Sequence, residues 1–205
     1  MIARAGRCLA LALALLGASA QASEWVTRFQ EQGVTVQTRE VDGSGYHAFR
    51  ATTTLAASPE AVLARLRDID SYTEWFPDTP EARMVTVEGV GGDGENVWFN
   101  YLRTDVPWPV KDRDTVYRNR LRRRDDGLRI EIVADPDVLP ETRRVVRIRS
   151  AGGFWDMRAA DGGTAVHWQF HIDPGGNLSP ALANPRVLET PKGALRALRA
   201  YFAAD

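Results

Sequence analysis

Between residues 82 and 173 the sequence alternates apolar and polar side chains in one short segment after another, and no other feature constrains the fold as strongly. The alternating segments are 82–90, 95–104, 114–123, 128–134, 143–150, 153–160 and 164–173. "GVGGDG", "RDDG" and "ADGG" supply compact turns between them. Short alternating segments joined by such turns predict an antiparallel β-meander.

Elements before and after this meander predict a mixed α+β chain. Two further strands, 33–41 and 46–55, are joined by the turn "DGSG". Ser58 is a good N-cap and Pro59 a good first residue for a helix that we expect to end near Asp70. A last helix is indicated by apolar residues recurring every three or four positions, namely Leu188, Pro191, Leu195, Leu198 and Phe202.

The predicted fold is one antiparallel sheet that curves around this long C-terminal helix. The interior between sheet and helix is either packed or hollow. Pro185 and Pro191 are expected to restrict where segments of the last helix begin, because proline is accepted only in a first turn or at a kink.

Residues 1–22 are predicted to be a secretory signal peptide. Arg4 and Arg7 precede the apolar run "CLALALALLGA", and "ASAQAS" offers cleavage after Ala20 or Ala22, of which we favour Ala22. An uncleaved anchor is the alternative. We therefore expect one domain, residues 23–205, to be secreted across the inner membrane, into the periplasm if the bacterium has two membranes.

Composition excludes several functions for this domain. The single cysteine, Cys8, lies in the predicted signal peptide, which leaves no thiol for disulfides, zinc ligation or nucleophilic catalysis. Without Arg4 and Arg7 the chain has 24 basic against 27 acidic residues, which argues against a nucleic-acid partner. The three histidines lack metal-ligand spacing, so we expect no metal and no cofactor. We also expect a monomer.

The stretch "VPWPVKDRD", residues 106–114, interrupts the meander with a rigid aromatic loop. Pro107 and Pro109 end one strand, because proline cannot donate within a sheet, and hold Trp108 on a stiff connection. In one interpretation Trp108 closes an end of the core. In the other the loop forms the mouth of a cavity and is fixed by the charged groups of Asp112, Arg113 and Asp114.

Three motifs resemble the START (steroidogenic acute regulatory protein-related lipid-transfer) family: "PWPVKDRDTVYRNRL", "DIDSYTEWFPD" and "IDPGGNLSPALANPRVLETPKGALRALRAYF". The resemblance covers roughly residues 30–204 and is strongest to small exported bacterial START-like proteins. It implies a helix-grip fold of the Bet v 1-like superfamily, with an internal apolar cavity for one lipid or other hydrophobic ligand. Loops and the C-terminal helix would gate that cavity.

Strand alternation predicts which residues face the cavity. Tyr117 and Asn119 should point inward, because Arg118, Arg120 and Arg122 occupy the other face of their strand. On 97–102 both faces are apolar, so the residues leave the direction open. The resemblance places at Asn100 and Asn119 two positions that hold an acid and an arginine in several START domains.

Two amides in place of a charged pair suit a ligand hydroxyl, carbonyl or ester, or a trapped water. Alternatively, the two asparagines bond each other or the backbone in a packed core. The complete predicted lining is Trp98, Asn100, Leu102, Tyr117, Asn119, Val146, Ile148, Trp155, Met157, Trp168, Phe170, Leu188, Leu195 and Leu198, with Trp108 and Arg113 at the mouth.

Arginines of the opposite sheet face permit a transient membrane contact. Arg118, Arg120, Arg122, Arg129, Arg143, Arg147 and Arg149 form either a basic stripe for anionic headgroups or, as we favour, an ordinary solvated face.

Three functions remain open at this point. We favour a non-enzymatic protein of the cell envelope that binds, and in a stronger version also transfers, a lipid or other hydrophobic small molecule. The alternative is a polyketide cyclase/aromatase-like enzyme in which Tyr117, Asn100 and Asn119 hold an enolate oxygen. No acid or histidine is expected inside the cavity to move protons, which argues against it. The third is an interaction module with a packed core.

Overall fold

The computed structural model describes residues 23–89 and 96–204. The predicted signal peptide and almost all of the turn "GVGGDG" lie outside the described residues. The strands are β1 Val26–Glu31, β2 Val34–Val41, β3 Ser44–Leu55, β4 Glu81–Val85, β5 Val97–Thr104, β6 Arg113–Arg124, β7 Gly127–Ala134, β8 Val146–Arg147, β9 Ser150–Ala160 and β10 Gly163–Asp173. The helices are α1 Pro59–Arg67, a 3₁₀ turn Ile69–Ser71, α2 Tyr72–Trp75 and α3 Pro180–Ala203.

The strands form a single sheet in the order β1-β2-β3-β10-β9-β7-β6-β5-β4. Every pairing along this path is antiparallel, and only the short β8 pairs in parallel, with the start of β6. The N- and C-terminal halves of the sheet meet where β10 pairs with β3. The antiparallel α+β prediction is therefore confirmed.

The local signals for helix α1 are confirmed. The Ser58 hydroxyl accepts a hydrogen bond from the Ala61 N–H at 3.2 Å, and Pro59 begins the helix. Val62, Leu63 and Leu66 turn one face of α1 into the core. The segment after α1, predicted as a plain connection, instead forms the 3₁₀ turn and α2.

The helix α3 runs without interruption through Pro185 and Pro191, so the expectation that these prolines limit its segments is wrong. Packing gives the physical reason. Ala194, Leu195 and Leu198 are fully buried and α3 packs on β2 and β3, which offsets the local cost of two missing N–H groups. Among the described residues, no helix is long and apolar enough to cross a membrane.

Two strand predictions need correction. The strand β1 was not predicted, because it lies at the sheet edge with nearly every side chain exposed and shows no two-residue hydrophobic period. The segment 143–150 was predicted as one strand, but only Val146–Arg147, which pair with β6, and Ser150, which begins β9 and pairs with β10, are in strands, because this stretch crosses from β7 to β9.

Both faces of the sheet are covered at β5. This explains why the sequence of β5 is apolar on both faces and did not show which of its side chains point toward the cavity. Trp98 belongs to the main core between sheet and α3. Phe99 and Tyr101 point to the other face, where they form a second cluster with Val138 and Leu139 of the connection after β7.

Candidate functional site

A cavity of about 210 Å³ lies between the concave face of the sheet, the α1–α2 segment and the first half of α3. Its wall is mostly apolar and aromatic, and it includes Phe49, Tyr72, Phe76, Trp98, Asn100, Leu102, Arg113, Tyr117, Asn119, Trp155, Trp168, Phe170, Ile172 and Val187. This volume is below the roughly 300–1,000 Å³ usual for small-molecule sites. The space therefore suits a small or slender ligand, and a bulkier one requires the wall to move.

The two predicted asparagines meet in the cavity wall. Asn100 on β5 and Asn119 on β6 are 3% and 5% exposed, and the Asn119 Nδ2 donates to the Asn100 Oδ1 at 2.6 Å. Both alternatives raised from the sequence are thus met in part, since the amides bond each other and also border open space. Each amide retains further donor and acceptor capacity.

Aromatic rings form the opposite wall. Trp155 and Trp168 stack with centroids 4.2 Å apart, and Phe49 meets Trp168 edge-on at 4.7 Å. The indole N–H groups of Trp98 and Trp168 are buried and have no acceptor among the described residues. An unpaired buried donor costs about 1–3 kcal/mol. Both nitrogens are also closed off from the open space of the cavity, so they are unpaired groups within its packed wall.

The phenol of Tyr117 lies in the wall between Thr115 and Asn119 on β6. Burial raises the pKa of Tyr117 to about 12, partly offset by its side-chain hydrogen bond with Thr115. At neutral pH this phenol is therefore protonated and can donate a hydrogen bond to a ligand oxygen.

Arg113 opens β6 and shares the inward face with Thr115, Tyr117 and Asn119. It is 4% exposed. Backbone carbonyls hold its guanidinium: Nε donates to Pro174 O at 3.4 Å, Nη2 to Gly175 O at 3.3 Å, and Nη1 to Lys111 O. Burial lowers the pKa of Arg113, although nearby Asp112 raises it in part.

Asp114 points to the other face of the sheet and pairs with Arg147. The Arg147 Nε and Nη2 lie 2.9 and 3.0 Å from the two carboxylate oxygens, and both side chains are fully buried. The hydrogen bond to Asp114 raises the pKa of Arg147. The remaining guanidinium N–H groups donate to carbonyls of Pro136, Leu139 and Pro140, which fastens this connection over the sheet.

The loop 105–112 borders the cavity mouth, but Trp108 does not close the core. Val106 and Arg113 line the cavity at either end of the loop, whereas Trp108 is 91% exposed. The interpretation of Trp108 as a lid on the core is therefore wrong. Asp112 fixes the loop as expected, since its carboxylate accepts from Arg103 Nε at 2.9 Å and from the Val106 N–H at 3.2 Å.

The structure brings most of the predicted lining together at the wall. It places there Trp98, Asn100, Leu102, Tyr117, Asn119, Ile148, Trp155, Trp168, Phe170 and, at the mouth, Arg113. That these residues contact a ligand stays a prediction.

Five predicted residues lie outside the cavity wall: Val146, Met157, Leu188, Leu195 and Leu198. Met157, Leu195 and Leu198 are completely buried in the core, and Leu188 packs partly buried against it. They lie where sheet and helix are already in contact, beyond the end of the open space. Val146 sits on β8 beside the Gly175–Gly176 loop. Strand alternation and helical period predict which side chains face inward. They do not predict where an open space remains between the inward faces of the sheet and of α3.

Sequence reasoning missed the wall contributed by β3 and the α1–α2 segment, in particular His47, Tyr72 and Phe76. The expectation of no histidine inside is wrong. His47 shares the inward phase of Phe49 and Ala51, a two-residue period that could have revealed it.

The opposite sheet face carries a larger, more open and more polar depression of about 630 Å³, whose wall includes several threonines together with Asp156, Arg158 and His167. The enclosed cavity is the better candidate, because ligand sites are concave and mostly apolar.

The arginine stripe on this face is largely neutralised, for example by Arg129–Asp156 at 2.8 Å and Arg122–Glu131 at 3.3 Å. Arg147 is buried and not part of it. Within residues 23–89 and 96–204, no cluster of three metal-ligating side chains occurs.

A curved antiparallel sheet gripping a long C-terminal helix, with an apolar cavity between them, defines the helix-grip fold of START domains in the Bet v 1-like superfamily. A STAR-related lipid transfer protein of Xanthomonas axonopodis has this fold with a TM-score of 0.78 and is 33% identical, over 87% of this chain and 98% of that one. Human STARD10 gives a TM-score of 0.71 at 17% identity, over 87% and 73% of the two chains, and so shares the fold.

Residues 46–203 match the family described as polyketide cyclase / dehydrase and lipid transport, so the chain belongs to this family. The uncharacterized protein PA1579 of Pseudomonas aeruginosa is 32% identical over 197 residues, which is 94% of this chain and 95% of that protein.

Proposed function

We propose that this protein binds a hydrophobic small molecule, such as a single-chain lipid, in the cavity and carries it without chemical change. The observation that carries the proposal is the cavity itself, an enclosed apolar space whose wall contains the hydrogen-bonded Asn100–Asn119 pair. Burial of each ligand methylene would contribute about 0.8 kcal/mol. The amides would orient a ligand oxygen, and the family description, which includes lipid transport, supports the same function.

Titration with decanol, followed through tryptophan emission, tests this function because Trp98, Trp155 and Trp168 line the cavity. We expect saturable binding of one molecule per chain. Asn119→Ala should weaken it by roughly 1 kcal/mol, or about fivefold, by removing a hydrogen bond. The exposed Asn96→Ala is the matched control and should bind as the wild type does. Absence of saturable binding would refute the proposal.

The proposal includes contact with a membrane surface at the cavity mouth. Trp108 and Leu182 are 91% and 62% exposed, and each lies in a segment whose neighbouring residues line the cavity. Tryptophan favours the membrane interface, where its apolar ring and polar N–H are both accommodated. Two exposed apolar side chains beside the opening would place the mouth against the lipid from which a ligand is taken.

Vesicle flotation with phosphatidylethanolamine–phosphatidylglycerol liposomes tests this contact. Trp108→Ala with Leu182→Ala should reduce the bound fraction severalfold. Met84→Ala with Val133→Ala removes two exposed apolar side chains away from the mouth and should leave it unchanged. Equal losses in both double variants would exclude a role for the mouth.

The proposal also places the protein outside the inner membrane and treats it as a monomer. Support for export comes from the signal-peptide pattern of residues 1–22. Cell fractionation with mass determination of the purified chain should show loss of residues 1–22, and light scattering should give the mass of one chain.

Catalysis by a cyclase-like mechanism is the second candidate, and His47 in the cavity wall is the observation that favours it. Histidine is the commonest general acid or base in enzymes, and the protonated Tyr117 could hold an enolate oxygen. Incubation with an aromatic polyketide intermediate separates the two functions. Turnover that His47→Gln abolishes would favour the enzyme, whereas binding of the intermediate without turnover would favour the carrier.

A further inference from the structure

Within the part of the chain that the structure describes, the cavity wall contains basic side chains but no acidic one. The arginines among its described residues are Arg113 and Arg186, and none of the described wall residues is aspartate or glutamate. Arg186 is already neutralised, because its guanidinium pairs with Asp78 outside the wall. Arg113 is therefore the residue whose charge decides the electrostatics of the cavity.

None of the described carboxylates lies within 4.0 Å of the Arg113 guanidinium. Its two acidic neighbours in sequence pair with other arginines, although Asp112 is near enough to raise the pKa of Arg113 in part. Asp114 points to the opposite sheet face and is occupied by Arg147, while Asp112 is occupied by Arg103. Three backbone carbonyls hold Arg113 in place but supply only partial charge. Burial of such a cation carries a desolvation cost, which a bound anion would offset.

The other groups of the wall also favour an electron-rich ligand. The Tyr117 phenol lies in the wall and is a donor at neutral pH. Arg113 and Asn119 are six residues apart on β6, about 20 Å at 3.3 Å per residue, so the two polar sites lie at separate ends of the wall. The surface between them is apolar and aromatic.

We propose that the ligand is an acidic single-chain amphiphile whose anionic head, a carboxylate or a phosphate monoester, pairs with Arg113 at the cavity mouth, while its apolar chain lies along the aromatic surface between Arg113 and the Asn100–Asn119 pair, which stays free to bind an oxygen of a neutral ligand. This inference rests on the proposed function and deepens it. The fixed planar guanidinium suits either head through two parallel N–H···O bonds.

Calorimetric titration of the detergent-free full chain with decanoate, decyl phosphate, decanol and methyl decanoate tests the inference. The four ligands share one chain and differ in the head. We expect one or both anions to bind about tenfold or more tightly than the two neutral ligands, which is the scale of a charge-assisted bidentate pair. The better of the two anions identifies the head.

Arg113→Gln should remove this preference by weakening the binding of the anions about tenfold or more, while Arg186→Gln, whose partner is Asp78, should retain the preference. If Arg113→Gln fails to fold, the comparison of the four ligands on the wild type still decides. Equal affinity for acid, alcohol and ester would overturn the acidic-ligand inference and leave the binding function intact. No binding of any of the four would instead overturn the proposed function.

Discussion

The buried Asp114–Arg147 pair should contribute far more to stability than an exposed pair of the same geometry. Asp114 is 1% and Arg147 2% exposed, with 2.9 Å between Arg147 Nε and Asp114 Oδ1. Asp114→Asn would leave the buried guanidinium without its counterion and place an amide donor against it. Breaking one partner of such a pair costs about 3–5 kcal/mol of unfolding free energy.

Arg149 and Asp137 provide the matched control on the same side of the sheet. Their Nη2–Oδ1 distance is 2.8 Å, but the side chains are 56% and 81% exposed. Solvent screening limits such a pair to about 0–1 kcal/mol, so Asp137→Asn should have little effect. Urea denaturation followed by tryptophan fluorescence measures both variants. A difference between them of less than about 1 kcal/mol, at unchanged m-values, would refute the argument from burial.

Two further predictions concern stability. Gly153→Ala should destabilise the folded protein by about 1–3 kcal/mol, because the added Cβ would lie 2.0 Å from the Gln169 carbonyl oxygen. The neighbouring Gly152→Ala is the control, since its Cβ meets only an ordinary 3.4 Å contact. Thermal unfolding of both variants should show a loss of stability for Gly153→Ala alone. Burial lowers the pKa of His167, so below its usual value of about 6.5 the unfolded chain binds the proton more readily. Stability should therefore fall as pH drops below about 6.5, and His167→Gln should reduce that slope in urea titrations; an identical slope in both proteins would contradict the prediction.

Much of the fold was predictable because local patterns and tertiary contacts agree. The Ser58 cap and the alternation on β6 gave correct local assignments, since one face of each element is buried and the other is solvated, whereas the predicted turn "DGSG" is shorter in the structure because β3 already begins at Ser44. The prediction of secondary structure failed where tertiary packing outweighs the local preference of the sequence. The long helix passes through Pro185 and Pro191 because its buried face outweighs local propensity.

The sequence predicted which side chains face the interior, but it did not predict how far the open cavity extends. Alternation correctly turned Tyr117 and Asn119 inward, since arginines filled the other face. It could not show that Leu195 and Leu198 reach the sheet while Trp168 borders open space, because all three are equally apolar. Arg147 was assigned to solvent because its partner Asp114 lies on a strand 33 residues away and is not apparent from the sequence.

The most direct test of the central claim, that this cavity holds a hydrophobic ligand, is native mass spectrometry of the full chain expressed in bacteria and purified without detergent. Organic extraction of the same sample would identify the bound molecule. The account predicts a stoichiometric adduct that disappears on extraction and is a single-chain acidic amphiphile. A ligand-free mass, together with no uptake of offered fatty acids, phospholipids or sterols, would contradict the claim and leave a packed interaction module as the better account.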